Sequence, residues 1–346
     1  MCRKAVTVRG PVDPAALGIT LAHEHLLADF TCRYSPAADE AAIGDGLALS
    51  DRAALLRDPA GYRVNLLATD EAAALRECAW FAEAGGRTVV DLTPVGLSPD
   101  VMGLRRISEA SGLNVIAATG FYIDSSLPAW VEGLSVDELA NRLVDEIETG
   151  GAEGIRRGAI GEIAVESGSD VELRCIRAAG RAQARTGAPV FFHVMSGILP
   201  QFRDMTDELI GLYRAEGGDL TRLVLCHQDG SGIDPAYQER LLSSGLWLEY
   251  DTFGSEGVFA FGDTYIQLPT DSQRIAEVAA LVAAGHIDRL LLSHDICYQT
   301  ARRARGGWGM AHILTTLRPR FAAAGIDEGK LMHMLVDNPA RLFAFA

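Results

Sequence analysis

Short runs of β-branched and aliphatic residues recur along the chain, each followed by a stretch in which Ala, Leu, Arg and Glu repeat with helical period. The apolar runs are Ile19–Leu26, Thr88–Thr93, Asn114–Gly120, Gly158–Val165, Pro189–Met195, Leu223–Gln228, Leu246–Asp251 and Arg289–Asp295. Their near-continuous apolar character predicts strands covered on both faces, because a strand with one wet face alternates. Ala72–Ala84, Val136–Glu148, Asp170–Thr186, Pro235–Ser243 and Asp271–Ala284 predict helices between them. Eight such units in sequence predict an α/β fold, a (β/α)8 TIM barrel of parallel strands forming one domain over residues 1–346. A doubly wound sheet would want a Gly-rich phosphate turn after an early strand, and Gly85-Gly86 precedes one instead.

Three connections exceed the usual two to six residues. Ala28–Leu67 is polar and Pro-bearing, with room for a short helix or two. Phe253–Thr270 is rich in Gly and aromatics (Phe253, Phe259, Phe261, Tyr265), and Ile296–Trp308 carries Arg302, Arg303 and Arg305 without an acid. Each follows the C-terminal end of a strand, the face on which barrels build their sites.

Composition narrows the partners. Against 31 Lys and Arg stand 46 Asp and Glu, a net charge of −15, which argues against nucleic acid and anionic membrane surfaces. No run reaches the ~18 apolar residues of a membrane-spanning helix. Six scattered cysteines without a C-x-x-C pair predict reduced thiols and a cytoplasmic setting. The expected partner is a small-molecule substrate, with a homodimer allowed.

The chemistry gathers at the strand ends. His23 and His25 are two apart and so share a face of one strand. Glu162 interrupts an otherwise apolar strand, a costly position unless the carboxylate is paired or metal-bound. His193, His227, His294 and Asp295 end three further runs. Singly, each has an ordinary reading: a hydrogen-bonded core histidine, or an aspartate capping a backbone N–H. Together, on five strands that converge on one pocket, they predict a metal centre. Nitrogen and carboxylate donors without cysteine suit Zn²⁺, with Co²⁺ or Mn²⁺ as substitutes. Cys226, next to His227, is expected to face away, whereas Cys297 shares parity with Asp295 and is expected to line the pocket.

The segments Gly18–His25, Thr119–Tyr122, Gly161–Ile163, Phe192-His193, Cys226-His227, Ser293–Asp295 and Asp337–Phe343 occur in an order that resembles the phosphotriesterase family of the amidohydrolase superfamily. The resemblance implies two metal ions: His23, His25 and Asp295 on a buried one, His193 and His227 on a more exposed one. Glu162 would bridge them, with a hydroxide as second bridge. Better-known members bridge with a carboxylated lysine, but this chain has only Lys4 and Lys330, at opposite ends, and Glu162 stands at the bridging position. Lactonase-like members place an Arg after the aspartate that is Asp251 here, and this chain has Thr252.

These readings predict a binuclear hydrolase acting on a small lactone, ester, amide or phosphoester. Asp295 is the expected proton acceptor, and Tyr122 is expected either to hydrogen-bond the reacting oxygens or to pack. The formal charge of such a centre, about +1, favours an anionic substituent on the substrate. Arg302, Arg303 and Arg305 are expected either to meet it or to form a solvated run, with Trp308 walling the pocket. The alternatives are a mononuclear amidohydrolase or deaminase, disfavoured by the bridging carboxylate, and a non-catalytic ligand-binding barrel, disfavoured by the complete ligand set.

Overall fold

A computed structural model of the protein describes residues 3–37, 40, 47–230, 234–261 and 264–346. Eight parallel strands form one sheet that curls almost into a closed barrel: β1 (Thr20–Glu24), β2 (Thr88–Asp91), β3 (Asn114–Phe121), β4 (Ala159–Val165), β5 (Val190–Val194), β6 (Leu223–Leu225), β7 (Trp247–Tyr250) and β8 (Leu290–Leu292). Each pairs in parallel with its neighbour in sequence. Helices α1 (Glu71–Glu83), α2 (Val101–Ser111), α3 (Val136–Glu148), α4 (Asp170–Thr186), α5 (Arg203–Ala215), α6 (Pro235–Ser243) and α7 (Asp271–Ala283) surround it, and a final helical stretch follows β8.

Local rules account for these elements. Helices α3 and α4 start at capping boxes, Ser135 with Glu138 and Ser169 with Glu172, where hydroxyl and carboxylate satisfy backbone N–H groups left free by the first turn. Strand residues such as Val89, Ile160, Val190, Val224 and Leu291 are wholly buried. Each such side chain contributes about 1.5–3 kcal/mol of hydrophobic stabilisation.

The barrel is closed at its seam by side chains more than by ladder bonds. The sheet order begins at β8 and ends at β1. Between them the Ser293 hydroxyl donates to the His23 carbonyl (2.6 Å) and accepts from the His23 N–H (3.1 Å), while Asp295 N–H reaches the same carbonyl at 3.2 Å. Glu24 adds bonds to the backbone N–H groups of His294 (3.0 Å) and Ile296 (3.1 Å).

Several strands stop earlier than the apolar pattern predicts, at Leu225 and Leu292 rather than Gln228 and Asp295. The cause lies in the backbone: His227 and Asp295 have φ of 57° and 47°, outside the extended region. The connection after β1 contains the short helix Arg52–Arg57, and the one after β7 a hairpin of Val258–Phe261 with Thr264–Gln267. The side chains of Phe259 and Phe261 lie outside the described set.

Candidate metal centre and cavity

Glu162, in the middle of β4, is the hub. Its Oε1 lies 2.9 Å from His193 Nδ1 and 3.5 Å from both His227 Nε2 and His23 Nε2, and its Oε2 lies 3.7 Å from His25 Nε2. Two donor groups therefore share one carboxylate: His23 and His25 with Glu162, and His193 and His227 with Glu162. Asp295 joins the first, with Oδ1 3.2 Å from His25 Nε2 and 3.8 Å from His23 Nε2. Gly120 allows β3 to pass this close, because a Cβ there would run into the Glu162 carbonyl oxygen.

The cluster is buried and charged. Burial opposes ionisation of Glu162, but the rings of His193 and His23 overcome it and hold its pKa well below the usual carboxylate range. Asp295 is likewise held low against burial, by the hydrogen bond to His25 and the charges of the neighbouring rings.

A metal fits these residues. His23 Nε2 is buried and has no hydrogen-bond partner, while its Nδ1 donates to Asp251 Oδ2 (3.1 Å) and Glu249 Oε2 (3.2 Å). A neutral ring that donates through Nδ1 presents a lone pair at Nε2, the form that binds a metal. His25 is oriented in the same way by Thr93 Oγ1 at 3.0 Å, and His227 Nδ1 by Asp251 Oδ1 at 3.0 Å. Such outer partners fix ring orientation and raise ligand basicity.

Reading residues by strand alternation misses part of this shell. Glu249 and Asp251 both face inward beneath the histidines. Cys226, expected to face away, instead groups with His23, Glu249 and Asp251 inside the barrel. The left-handed backbone at His227 breaks the two-residue alternation, so adjacent residues both turn inward. His294 donates to Glu24 Oε1 (2.9 Å) and supports the seam.

A cavity of about 150 Å³ opens over the cluster. Tyr122, Cys297 and Trp308 line it, as do Phe30, Met195 and Ile198. The three strand-8 arginines do not, which corrects the first of the two expectations for them, that they meet the substrate. Arg302 is 2% exposed and donates to the Leu26 carbonyl at 2.8 Å. Arg303 lies with its guanidinium carbon 4.7 Å from the centre of the Trp80 ring on α1, and the Arg305 carbonyl accepts from Arg52. Two tight turns, Gln299–Ala301 and Arg303–Arg305, carry this run outward onto α1. The cation that does line the cavity is Arg33, from the long connection after β1. Its position in an irregular loop gave no periodic signal. Thr252 bonds Asp229 (3.0 Å), and the buried Arg274 from α7 reaches both Thr252 Oγ1 (2.8 Å) and Asp229 (3.1 Å).

Comparison with known proteins agrees with this architecture. The phosphotriesterase family matches residues 3–343. An N-acetyltaurine hydrolase of Tetraodon nigroviridis is 34% identical over 99% of this chain and 98% of its own length. A resiniferatoxin-binding protein from Rhodobacter sphaeroides superposes with a TM-score of 0.92 at 35% identity, over 98% of this chain and 94% of that one. The phosphotriesterase homology protein from Escherichia coli does so with a TM-score of 0.76 at 28% identity, over 95% and 99% of the two chains. The chain belongs to the phosphotriesterase family and is a hydrolytic enzyme.

Proposed function

We propose that this protein is a binuclear metal-dependent hydrolase that cleaves the amide of a small N-acyl compound, with N-acetyltaurine as the first candidate. The observation that carries the reading is the single carboxylate of Glu162 between two histidine pairs, His23 with His25 and His193 with His227. A mononuclear site has no use for a carboxylate shared in this way. His23, His25 and Asp295 would hold one ion, His193 and His227 the other, and Glu162 both. The mixed nitrogen and oxygen donors favour zinc, with cobalt or manganese able to substitute. Two divalent ions, when bound, supply Lewis acidity and lower the pKa of water at the site.

The chain's own residues supply the rest. Asp295 is the proton carrier: its side chain is 17% exposed, the most open carboxylate of the cluster, and it can pass a proton to a leaving amine. Tyr122 orients the substrate from the cavity wall, while Cys297 and Trp308 help exclude water. Among the described residues no helix is long and apolar enough to cross a membrane. The free cysteines are in keeping with a cytoplasmic location.

The test is metal analysis of the purified protein combined with turnover of N-acetyltaurine, a lactone panel and an organophosphate. About two equivalents of metal, with amide turnover that chelation abolishes, supports the reading. One equivalent would point to a mononuclear amidohydrolase. A second reading, a barrel that binds a ligand without turning it over, is favoured by the name of the Rhodobacter sphaeroides relative. Metal-loaded protein that turns over none of these compounds would support it.

A further inference from the structure

We propose that Arg33, together with the Tyr122 hydroxyl, is the specificity element that selects substrates with an anionic terminus, a sulfonate or carboxylate, two or three atoms beyond the scissile bond. The inference rests on the hydrolase reading above and assigns the residues that define its substrate class.

Arg33 is the one arginine or lysine lining the cavity among the described residues. Its side chain is 18% exposed, and a guanidinium remains charged at any physiological pH. The wall around it is mostly apolar, so a charge placed there is poorly screened by water and selects strongly.

The segment that carries Arg33 is fixed before any substrate arrives. Asp29 accepts from the Thr31 N–H (2.8 Å) and hydroxyl (2.6 Å), and Phe30 N–H donates to the Leu66 carbonyl (2.9 Å). Glu166, just past β4, grips Nη1 at 2.6 Å and leaves the other end of the guanidinium directed at the centre. Glu166 is thus a positioning residue.

This end of the guanidinium is held by the Tyr122 hydroxyl and the His193 ring at the cavity wall. Tyr122 Oη accepts from Arg33 Nε (3.3 Å) and Nη2 (3.2 Å), so its own proton is free to point into the cavity. Arg33 Nη2 lies 3.4 Å from His193 Nε2. His193 Nδ1 donates to Glu162 Oε1 (2.9 Å), which leaves Nε2 facing the Arg33 guanidinium as an acceptor; a metal ion on Nδ1 would move that proton to Nε2. The Arg33 charge and the free Tyr122 O–H thus stand side by side at the wall, where one anionic group can meet both. That group would sit one imidazole ring away from Glu162, which sets its spacing from the scissile bond.

The experiment compares metal-loaded native protein with Arg33→Gln and Tyr122→Phe. Substrates are the N-acetyl sulfonate proposed above, N-acetyl-β-alanine and the uncharged N-acetylethanolamine. Binding of free 2-aminoethanesulfonate is measured by calorimetry as a readout independent of turnover. Arg33→Gln is expected to raise KM for the charged substrates and lower their preference over the neutral one ~10–100-fold, the worth of a charge-assisted hydrogen bond. It should weaken sulfonate binding in parallel, with Arg33→Lys recovering part. Tyr122→Phe, which removes one oxygen only, should reduce the same preference ~3–10-fold and covers the case in which Arg33→Gln does not fold. An unchanged preference and unchanged sulfonate binding would overturn the proposal and leave Arg33 a structural partner of Glu166. If the native protein turns over none of the three compounds, the hydrolase reading fails for them. Loss of sulfonate binding in Arg33→Gln would still support the anion site, and retained binding would still overturn it.

Discussion

Asp251 Oδ1 holds His227 twice, accepting from its backbone N–H at 3.1 Å and from its ring Nδ1 at 3.0 Å, and Oδ2 accepts from His23 at 3.1 Å. One buried carboxylate thereby orients a ligand from each of the two proposed metal positions. Asp251→Asn removes the charge that fixes both tautomers. Metal affinity, measured by chelator competition, should fall ~10–100-fold, with thermal unfolding of the metal-free protein changed far less. Unaltered affinity would mean that the rings need no such support.

Glu162→Gln tests the shared carboxylate directly. Losing one anionic ligand common to two donor sets should bring bound metal from about two equivalents to about one or fewer by elemental analysis. Asp295→Asn should behave differently, retaining most of the metal and losing turnover, because the role proposed for Asp295 is proton transfer as well as ligation. Full activity in Asp295→Asn would remove it from that role.

Arg302 offers the contrast to Arg33. It is buried against the Leu26 carbonyl, so Arg302→Met should strand that acceptor and lower stability by about 1–3 kcal/mol in denaturant unfolding. KM should not move. Arg303→Ala should cost only about 0.5–1 kcal/mol, the loss of a cation–π contact with Trp80.

Glu277 on α7 gives a pH dependence with a definite sign. Burial, and then the charge of Asp229, raise its pKa to about 7 from the ordinary 4.5. The folded protein therefore holds this proton where the unfolded chain has released it. The associated stability is full below pH 4.5 and is lost as pH rises through 7. Glu277→Gln should raise Tm above that of the native protein at pH 8, and the difference should shrink as pH approaches 5. A gap of the same size at both values would assign the effect to packing instead.

The barrel and the ligand histidines were legible because each rests on a short-range rule. Continuous apolar runs give buried parallel strands, two-residue spacing puts His23 and His25 on one face, and a lone Glu in an apolar strand demands a partner. What escaped depends on where the chain departs from those rules. Left-handed residues at His227 and Asp295 end their strands early, and His227 turns inward beside Cys226. Glu249 and Asp251 read as ordinary strand-end polar residues until the histidines beside them are placed. The two outcomes for arginine were set by loop geometry: a run of three carried outward by tight turns, and a solitary Arg33 brought inward by the Asp29 and Leu66 anchors.

The seam between β8 and β1 has a consequence for how the fold is held shut. His23 and His25 stand on one side of it and Asp295 on the other, with 270 positions of chain between His23 and Ser293. An ion held by these three residues would act as a clasp across the largest loop that the barrel contains. Closing so long a loop carries an entropic cost that grows with the logarithm of its length, and a ligand confined to the closed form offsets it. Removing metal should therefore speed amide hydrogen exchange first in β1 and β8, while the middle strands β4 and β5 keep their protection. In this sense the proposed metal centre would double as the fastener of the barrel.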